Sequence, residues 1–306
     1  MSYEELAAVF LTPSTPAPPS PALPTTRARR LRDAIEPIAT IGWWSRAATE
    51  QFTALGLDFF GGYVWGRAAA LGPDVDAGVV VSAFGVFEPT LLTSVLDGAR
   101  SAASHEAVLA GREAGATDGL RAVVASTTDI DIELVESAGA RLRAALDGVD
   151  GTARPLFSAL RSLPIGADPH AALWRAAEMY REHRGDGNLA ASVAAGLDPV
   201  EMNVLTELWL GYPIGEYSAT RGFGPERIQQ AVDAIEASGW VSGGVITESG
   251  RAARTAIEAA TDLSQHAIIE AIGDGFDDLV GDLETIGAAV VDAQVAPADP
   301  RKRAAG

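Results

Sequence analysis

The stretch Gly224-Pro-Glu-Arg-Ile-Gln-Gln-Ala-Val-Asp-Ala-Ile-Glu-Ala-Ser-Gly-Trp240-Val-Ser-Gly-Gly-Val-Ile-Thr247-Glu-Ser-Gly-Arg251 carries the clearest fold signal in the chain. Gly224-Pro225 opens a helix, since proline is tolerated at the first helical position, where its missing N–H would have had no partner. Ile228, Val232 and Ile235 recur at helical spacing, and Ser238-Gly239 stops the run. Trp240 to Thr247 then reads as two short strands about a Gly-Gly turn. Thr247 opens a last helix through about Thr261.

Helix, small hairpin and helix in this order resemble the winged helix-turn-helix of the MarR-type regulators. The charges argue against the usual use of such a module. Pro225 to Ser238 sets Arg227, Gln229 and Gln230 against Glu226, Asp233 and Glu236, and the hairpin has no basic residue. From Thr220 to Arg254 four arginines meet four acids, whereas affinity for a phosphate backbone comes from excess Lys and Arg.

The whole chain points the same way. Its 306 residues, 47% hydrophobic, suit two or three globular domains, and the net charge of −18 opposes nucleic acid and anionic membrane surfaces. With no cysteine, disulfides, thiolate nucleophiles and Cys-ligated metals are excluded, and histidine occurs only at 105, 170, 183 and 266. No apolar run nears the roughly 20 residues that span a bilayer. The first residues lack the basic-then-apolar layout of a secretory signal, so a cytoplasmic location is expected.

Residues 1–26 read as a short helix plus a Pro-rich, extended linker. The helix is either a loose tail or a cover, with Leu6, Val9, Phe10 and Leu11 docking on a partner or over a pocket. Residues 27–150 are mostly helical. Pro37 is expected to end or kink the first helix, and Asp76 to Val86 is ambiguous between helix and strand. Residues 151–211 form a second helical module, 212–262 the winged helix-turn-helix, 263–292 an amphipathic acidic helix and 293–306 a flexible tail. Tyr63-x-x-x-Arg67 matches Tyr180-x-x-x-Arg184, and Ser82 to Pro89 aligns with Ser192 to Pro199. This is either a degenerate duplication, with Arg67 and Arg184 sharing one pocket, or a chance match between Ala-rich helices. Ile269, Ile272, Phe276, Leu279, Leu283 and Ile286 follow 3,4 spacing, a seam for a helix of this chain or of a second copy.

The densest chemistry lies in Trp174-Arg-Ala-Ala-Glu-Met-Tyr180-Arg-Glu-His-Arg-Gly-Asp-Gly-Asn188. It reads as a helix that breaks on Gly185-Asp186-Gly187. One interpretation is a charged helix end with a glycine stop. The other is a site in which His183 acts as general acid/base, oriented by Glu182 or Asp186, while Arg184 and Arg67 bind an anion. Tyr63, Trp65, Trp174, Tyr180 and Asn188 would then contact the substrate. Trp43, Trp44, Phe59 and Phe60 could line a pocket for a planar ligand, although core packing is the commoner fate of such residues. His183 has no second histidine at i+3 or i+4, so no metal site is expected. No phosphate loop, nucleophile elbow or dinucleotide fingerprint is present, so no cofactor is expected.

Several motifs occur together: Gly-Tyr-x-x-Gly-Arg-Ala-Ala-x-Leu-Gly at 62–72, Arg-Pro-Leu at 154–156, Leu-Trp at 173–174, Arg-Glu-His-Arg-Gly-Asp-Gly at 181–187, Ala-Gly-Leu at 195–197, Arg-Gly at 221–222 and Glu-x-x-Thr-Asp at 258–262. Across about residues 33–290 they resemble the actinobacterial SalK-like helix-turn-helix proteins. That family's name records a fold, and no activity carries over with it. This chain departs from the pattern at Asn188, where the family has His, and at Ala70, where it has Pro.

The sequence thus predicts a mainly α protein of helical modules with a MarR-like winged helix and a long terminal helix. It is expected to bind a small molecule, acting either as a cofactor-independent enzyme of specialised metabolism or as a ligand-responsive regulator that dimerises through 264–291. No membrane partner is expected.

Overall fold

The computed structural model describes residues 1–304. The chain is mainly α, as expected. The helices are α1 (Tyr3–Leu6), α2 (Arg27–Trp44), α3 (Arg46–Ala54), α4 (Phe59–Ala68), α5 (Ala77–Phe84), α6 (Pro89–Ala102), α7 (His105–Ala125), α8 (Ile132–Asp147), α9 (Pro155–Ser162), α10 (Pro169–Ala194), α11 (Pro199–Leu210), α12 (Pro225–Ala237), α13 (Glu248–Leu263), α14 (His266–Ile272), α15 (Phe276–Asp292) and α16 (Pro300–Ala304). Strands β1 (Val241–Ser242) and β2 (Val245–Ile246) pair antiparallel between α12 and α13.

Helix α10 is the axis of the molecule, packing against α8, α2, α13, α9 and α7. Asp168 caps its start by accepting the His170 N–H at 2.8 Å, and Pro169 takes the first turn. The break expected at Gly185-Asp186-Gly187 does not occur. The helix continues to Ala194 and stops at Gly196, whose φ is +83°. Gly187 serves close approach, since a Cβ there would press on Ser264 and Arg154. Arg154, which donates to the His183 carbonyl, and Ser264 hold this turn. A helical glycine costs about 1 kcal/mol, less than the tertiary packing gained.

Pro37 likewise does not end α2. The proline removes one hydrogen bond to the carbonyl of residue 33, which lies on the exposed side, and Thr40 bonds back to Glu36 at 2.8 Å. The ambiguous stretch after Asp76 is helix α5, capped by Asp76 and closed at Gly85 with φ +69°.

The main core joins Leu31, Ile35 and Ile38 of α2, Leu142 of α8, Leu173 and Trp174 of α10, and Phe276, Leu279, Leu283, Ile286 and Val290 of α15. The 3,4 seam of α15 is therefore covered by α2, α7 and α8 of its own chain. Of the two packings the spacing allows, the one within the chain accounts for Phe276, Leu279, Leu283 and Ile286, which are fully buried. A second core gathers Phe52, Val64, Trp65, Phe84 and Leu96, and a third lies within Leu197 to Ile257.

That third core unites α11, α12, the hairpin and α13 in the order expected. Gly243 and Gly244, at φ +57° and +75°, make the tight turn between strands. Thr247 caps α13, and Gly250 passes so close to the Trp240 carbonyl that no side chain would fit.

Candidate functional site

Four helices and one loop line a two-chambered cleft. α2 supplies Arg32, Glu36, Thr40, Trp43 and Trp44. α4 supplies Phe59, Phe60, Tyr63 and Arg67, residues three and four apart and hence on one face. α10 contributes Tyr180, Arg181, Glu182, Arg184, Asp186 and Asn188, and the far wall is Met202, Asn203 and Thr206 of α11 with Tyr217 and Arg221 of the loop before α12. The polar chamber has a volume of about 110 Å³ and the aromatic one about 170 Å³. Glu36, Tyr63, Arg181, Tyr217 and Arg221 border both.

Most charges in the polar chamber are paired. Arg67 grips Glu182 with two hydrogen bonds of 3.1 and 2.8 Å and donates to the Tyr63 hydroxyl at 2.7 Å. Arg181 donates to Glu182 at 3.1 Å and to Glu36 at 3.2 Å. Burial raises the Glu182 carboxyl, but Arg67 and Arg181 outweigh it and hold the group below the usual carboxylate range. Arg184 reaches away to Glu258 at 2.7 Å and Asp262 at 3.2 Å. Burial also raises Glu258, yet Arg254, Arg184 and Arg29 bring it down to about 2. The Glu-x-x-Thr-Asp motif is thus the socket for α10, because Thr261 also accepts from Asn188 at 3.1 Å.

Asp186 differs. It accepts one backbone hydrogen bond, from Phe157 at 3.2 Å, and burial with the nearby Glu182 charge pushes its carboxyl up to about 7. Arg221 differs in the opposite sense. Its guanidinium lies between Phe87 (4.8 Å) and Tyr217 (4.7 Å) and donates to the Tyr217 hydroxyl at 2.6 Å. No carboxylate among the described residues forms an ion pair with it, and its buried Nε has no hydrogen-bond acceptor. Gly222, at φ +89°, lets the loop press onto α6, where a side chain would collide with Leu91.

Of the residues expected from the sequence, Tyr63, Arg67, Tyr180, Glu182, Arg184, Asp186 and Asn188 meet at the cleft. Arg67 and Arg184 do share a pocket wall. The two Tyr-x-x-x-Arg pairs are not equivalent, however, since Tyr180 donates to the Ala28 carbonyl at 3.0 Å and not to its arginine. Three expected residues fall elsewhere. Trp65 donates to the Ala103 carbonyl at 3.1 Å inside the second core, and Trp174 donates to that of Ala39 at 3.2 Å inside the main core. His183 meets Gln265 at 2.8 Å with its ring edge-on to Phe157, and burial lowers it to about 4. His183 therefore stands outside the cleft that Glu182, Arg184 and Asp186 line.

The aromatic chamber does gather Trp43, Trp44, Phe59 and Phe60, joined by Tyr63 and Phe87. Phe10 packs on Trp44 at 5.5 Å, and its backbone carbonyl accepts from the Ala298 N–H at 2.9 Å. The first eleven residues are therefore a cover on their own chain, with Leu6 and Leu11 buried. Sequence reasoning missed Glu36, Arg181, Asn203, Tyr217 and Arg221. Arg181 opens the motif at 181–187 and Arg221 the Arg-Gly motif at 221–222, but neither is assigned a role in the site by the sequence. Among the described residues no group of three or more His, Cys, Asp or Glu side chains is arranged to hold a metal ion.

The architecture defines a helix-turn-helix protein with a built-in cleft. The chain matches a helix-turn-helix family over residues 28–297, nearly its full length, and belongs to that family. No curated protein and no solved structure matches it.

Proposed function

We propose that the protein binds a small molecule in this cleft, and that it is a SalK-like, actinobacterial-type member of its family serving specialised metabolism. The observation that carries this reading is the shared wall. Helices of the body close one side, and α11 with the loop before α12 close the other. A ligand there would bear on both parts at once, which suits a ligand-responsive protein. Clefts between packed units that combine aromatic walls with a few convergent polar groups are the usual home of small ligands.

Direct DNA recognition fits the MarR-like module poorly. Of its four arginines, Arg221 lines the cleft, Arg227 pairs with Asp198, Arg254 is buried on Glu258, and Arg251 stands exposed with no ion pair among the described residues. A regulator that acted on DNA would have to draw its charge from another face.

A second reading, catalysis without a cofactor, is favoured by Asp186. A cleft carboxyl near neutrality can give and take a proton at physiological pH. Glu182, already held by Arg67 and Arg181, would order the chamber, and Asn188 and Tyr180 would shape it.

The test is a thermal-shift screen of small metabolites on the full chain, with hits confirmed by calorimetry and repeated on Asn203→Leu, which fills the polar chamber. A hit lost in that variant supports the reading. Hits that ignore the substitution, or none across a broad screen, would sink it. An electrophoretic shift of DNA at physiological salt would favour the regulator, and turnover abolished by Asp186→Asn the enzyme.

A further inference from the structure

The aromatic chamber is ringed by more positive charge than its setting explains. The chain carries a net charge of −18, yet Arg181, Arg221, Lys302 and Arg303 border this chamber against a single carboxylate, Glu36. Glu36 is already engaged by Arg181. Arg221, Lys302 and Arg303 form no ion pair with any carboxylate among the described residues. Lys302 lies over the Phe10 ring at 4.2 Å, and burial lowers its ammonium. Holding part-buried cations without counter-charges costs free energy unless an anion completes the site.

The other guanidinium groups of the cleft do not share this property. Arg67 is occupied by Glu182, and Arg184 by Glu258 and Asp262. The anion-binding role expected for those two therefore passes to Arg221. It stands at the junction of the chambers with four of its five N–H donors not engaged by the one Tyr217 contact.

The walls beside it are Trp43, Trp44, Phe59, Phe60 and Phe87, and the space they enclose is about 170 Å³. A cavity of about 150 Å³ takes a benzene molecule, so the chamber has room for one aromatic ring with a short substituent.

We infer that the ligand is a single-ring aromatic molecule bearing an anionic oxyacid group, carboxylate or phosphate, with its ring in the aromatic chamber and its oxygens on Arg221. This deepens the small-molecule reading above and rests on it. The cations Lys302 and Arg303 also line this chamber, where they raise the local concentration of such an anion.

Calorimetry on the full chain at low salt tests the inference with phenylacetate, phenyl phosphate, neutral phenylacetamide, acetate and inorganic phosphate. One or both aryl anions should bind at least tenfold tighter than phenylacetamide and than the ringless anions. Whichever of phenylacetate and phenyl phosphate is tighter identifies the oxyacid. Arg221→Gln should lower the affinity of the tighter one at least tenfold and leave phenylacetamide unchanged, while Arg221→Lys restores part of the loss. A matching melting temperature for the variants shows that they fold.

Equal binding of phenylacetamide, equal binding of acetate or phosphate alone, or indifference to Arg221→Gln would overturn it. If none of these probes binds but the metabolite screen yields a ligand of another class that is lost on Asn203→Leu, this inference falls and the small-molecule reading stands. If neither yields a ligand, both fall.

Discussion

Asp186 and His183 stand three residues apart on one helix and respond to pH in opposite senses. The Asp186 carboxyl is raised from 3.8 to about 7 in the folded chain. Between those values the folded state keeps a proton that the unfolded chain has released. The stability this supplies is complete below pH 3.8 and lost as pH rises to about 7. His183 is lowered from 6.5 to about 4, so its contribution is complete above pH 6.5 and lost as pH falls to about 4. The two nearly offset each other from pH 4 to 6.5. Asp186→Asn removes one side of this balance. In urea titrations the variant should exceed the parent by on the order of 1–3 kcal/mol at pH 8 and match it near pH 4. Equal stability of the two proteins at pH 8 would mean that Asp186 is not held above its ordinary range.

At the scale of elements, glycine decides how closely helices and turns approach. Gly250 is helical, and alanine there would gain about 1 kcal/mol in helix propensity. The Trp240 carbonyl lies where its Cβ would go, and a backbone oxygen cannot rotate aside as a side chain can. Gly250→Ala should therefore destabilise the protein by about 1–3 kcal/mol net in chemical denaturation, with the hairpin of β1 and β2 displaced. Its Trp240 emission would report the displacement, and a variant more stable than the parent would refute the packing argument. The same logic explains α10. Gly185 and Gly187 look like a stop in sequence, whereas Gly187 is the point where Arg154 and Ser264 close on the helix.

For the whole molecule, the long acidic helix α15 belongs to the core of its own chain. Leu283 is fully buried beside α2, and Arg30 spans to Glu284 and Asp277 on the exposed edge. Leu283→Ala should cost about 2–5 kcal/mol. It should do so at every protein concentration, because the contact is intramolecular. A stability loss that grew on dilution, followed by sedimentation, would instead indicate a seam shared with a second copy.

By itself the sequence determined what local physics governs. The mainly α composition, the helix opening at Thr247 and the Gly-Gly hairpin all rest on residues a few positions apart. So does the clustering of Tyr180, Glu182 and Arg184 on one helix, whereas Asp186 and Asn188 belong to that helix only because the expected glycine break does not occur. Only the tertiary structure decided which charges are neutralised. Arg67 and Glu182 are 115 residues apart, and Arg184 and Glu258 are 74 apart. No spacing rule links such partners, so every arginine looks equally available in sequence. Folding consumes the positive charge of Arg67 and Arg184 and leaves that of Arg221 facing the cleft. It also turns His183 toward Gln265, because the side a helical residue faces is set by what packs against the helix.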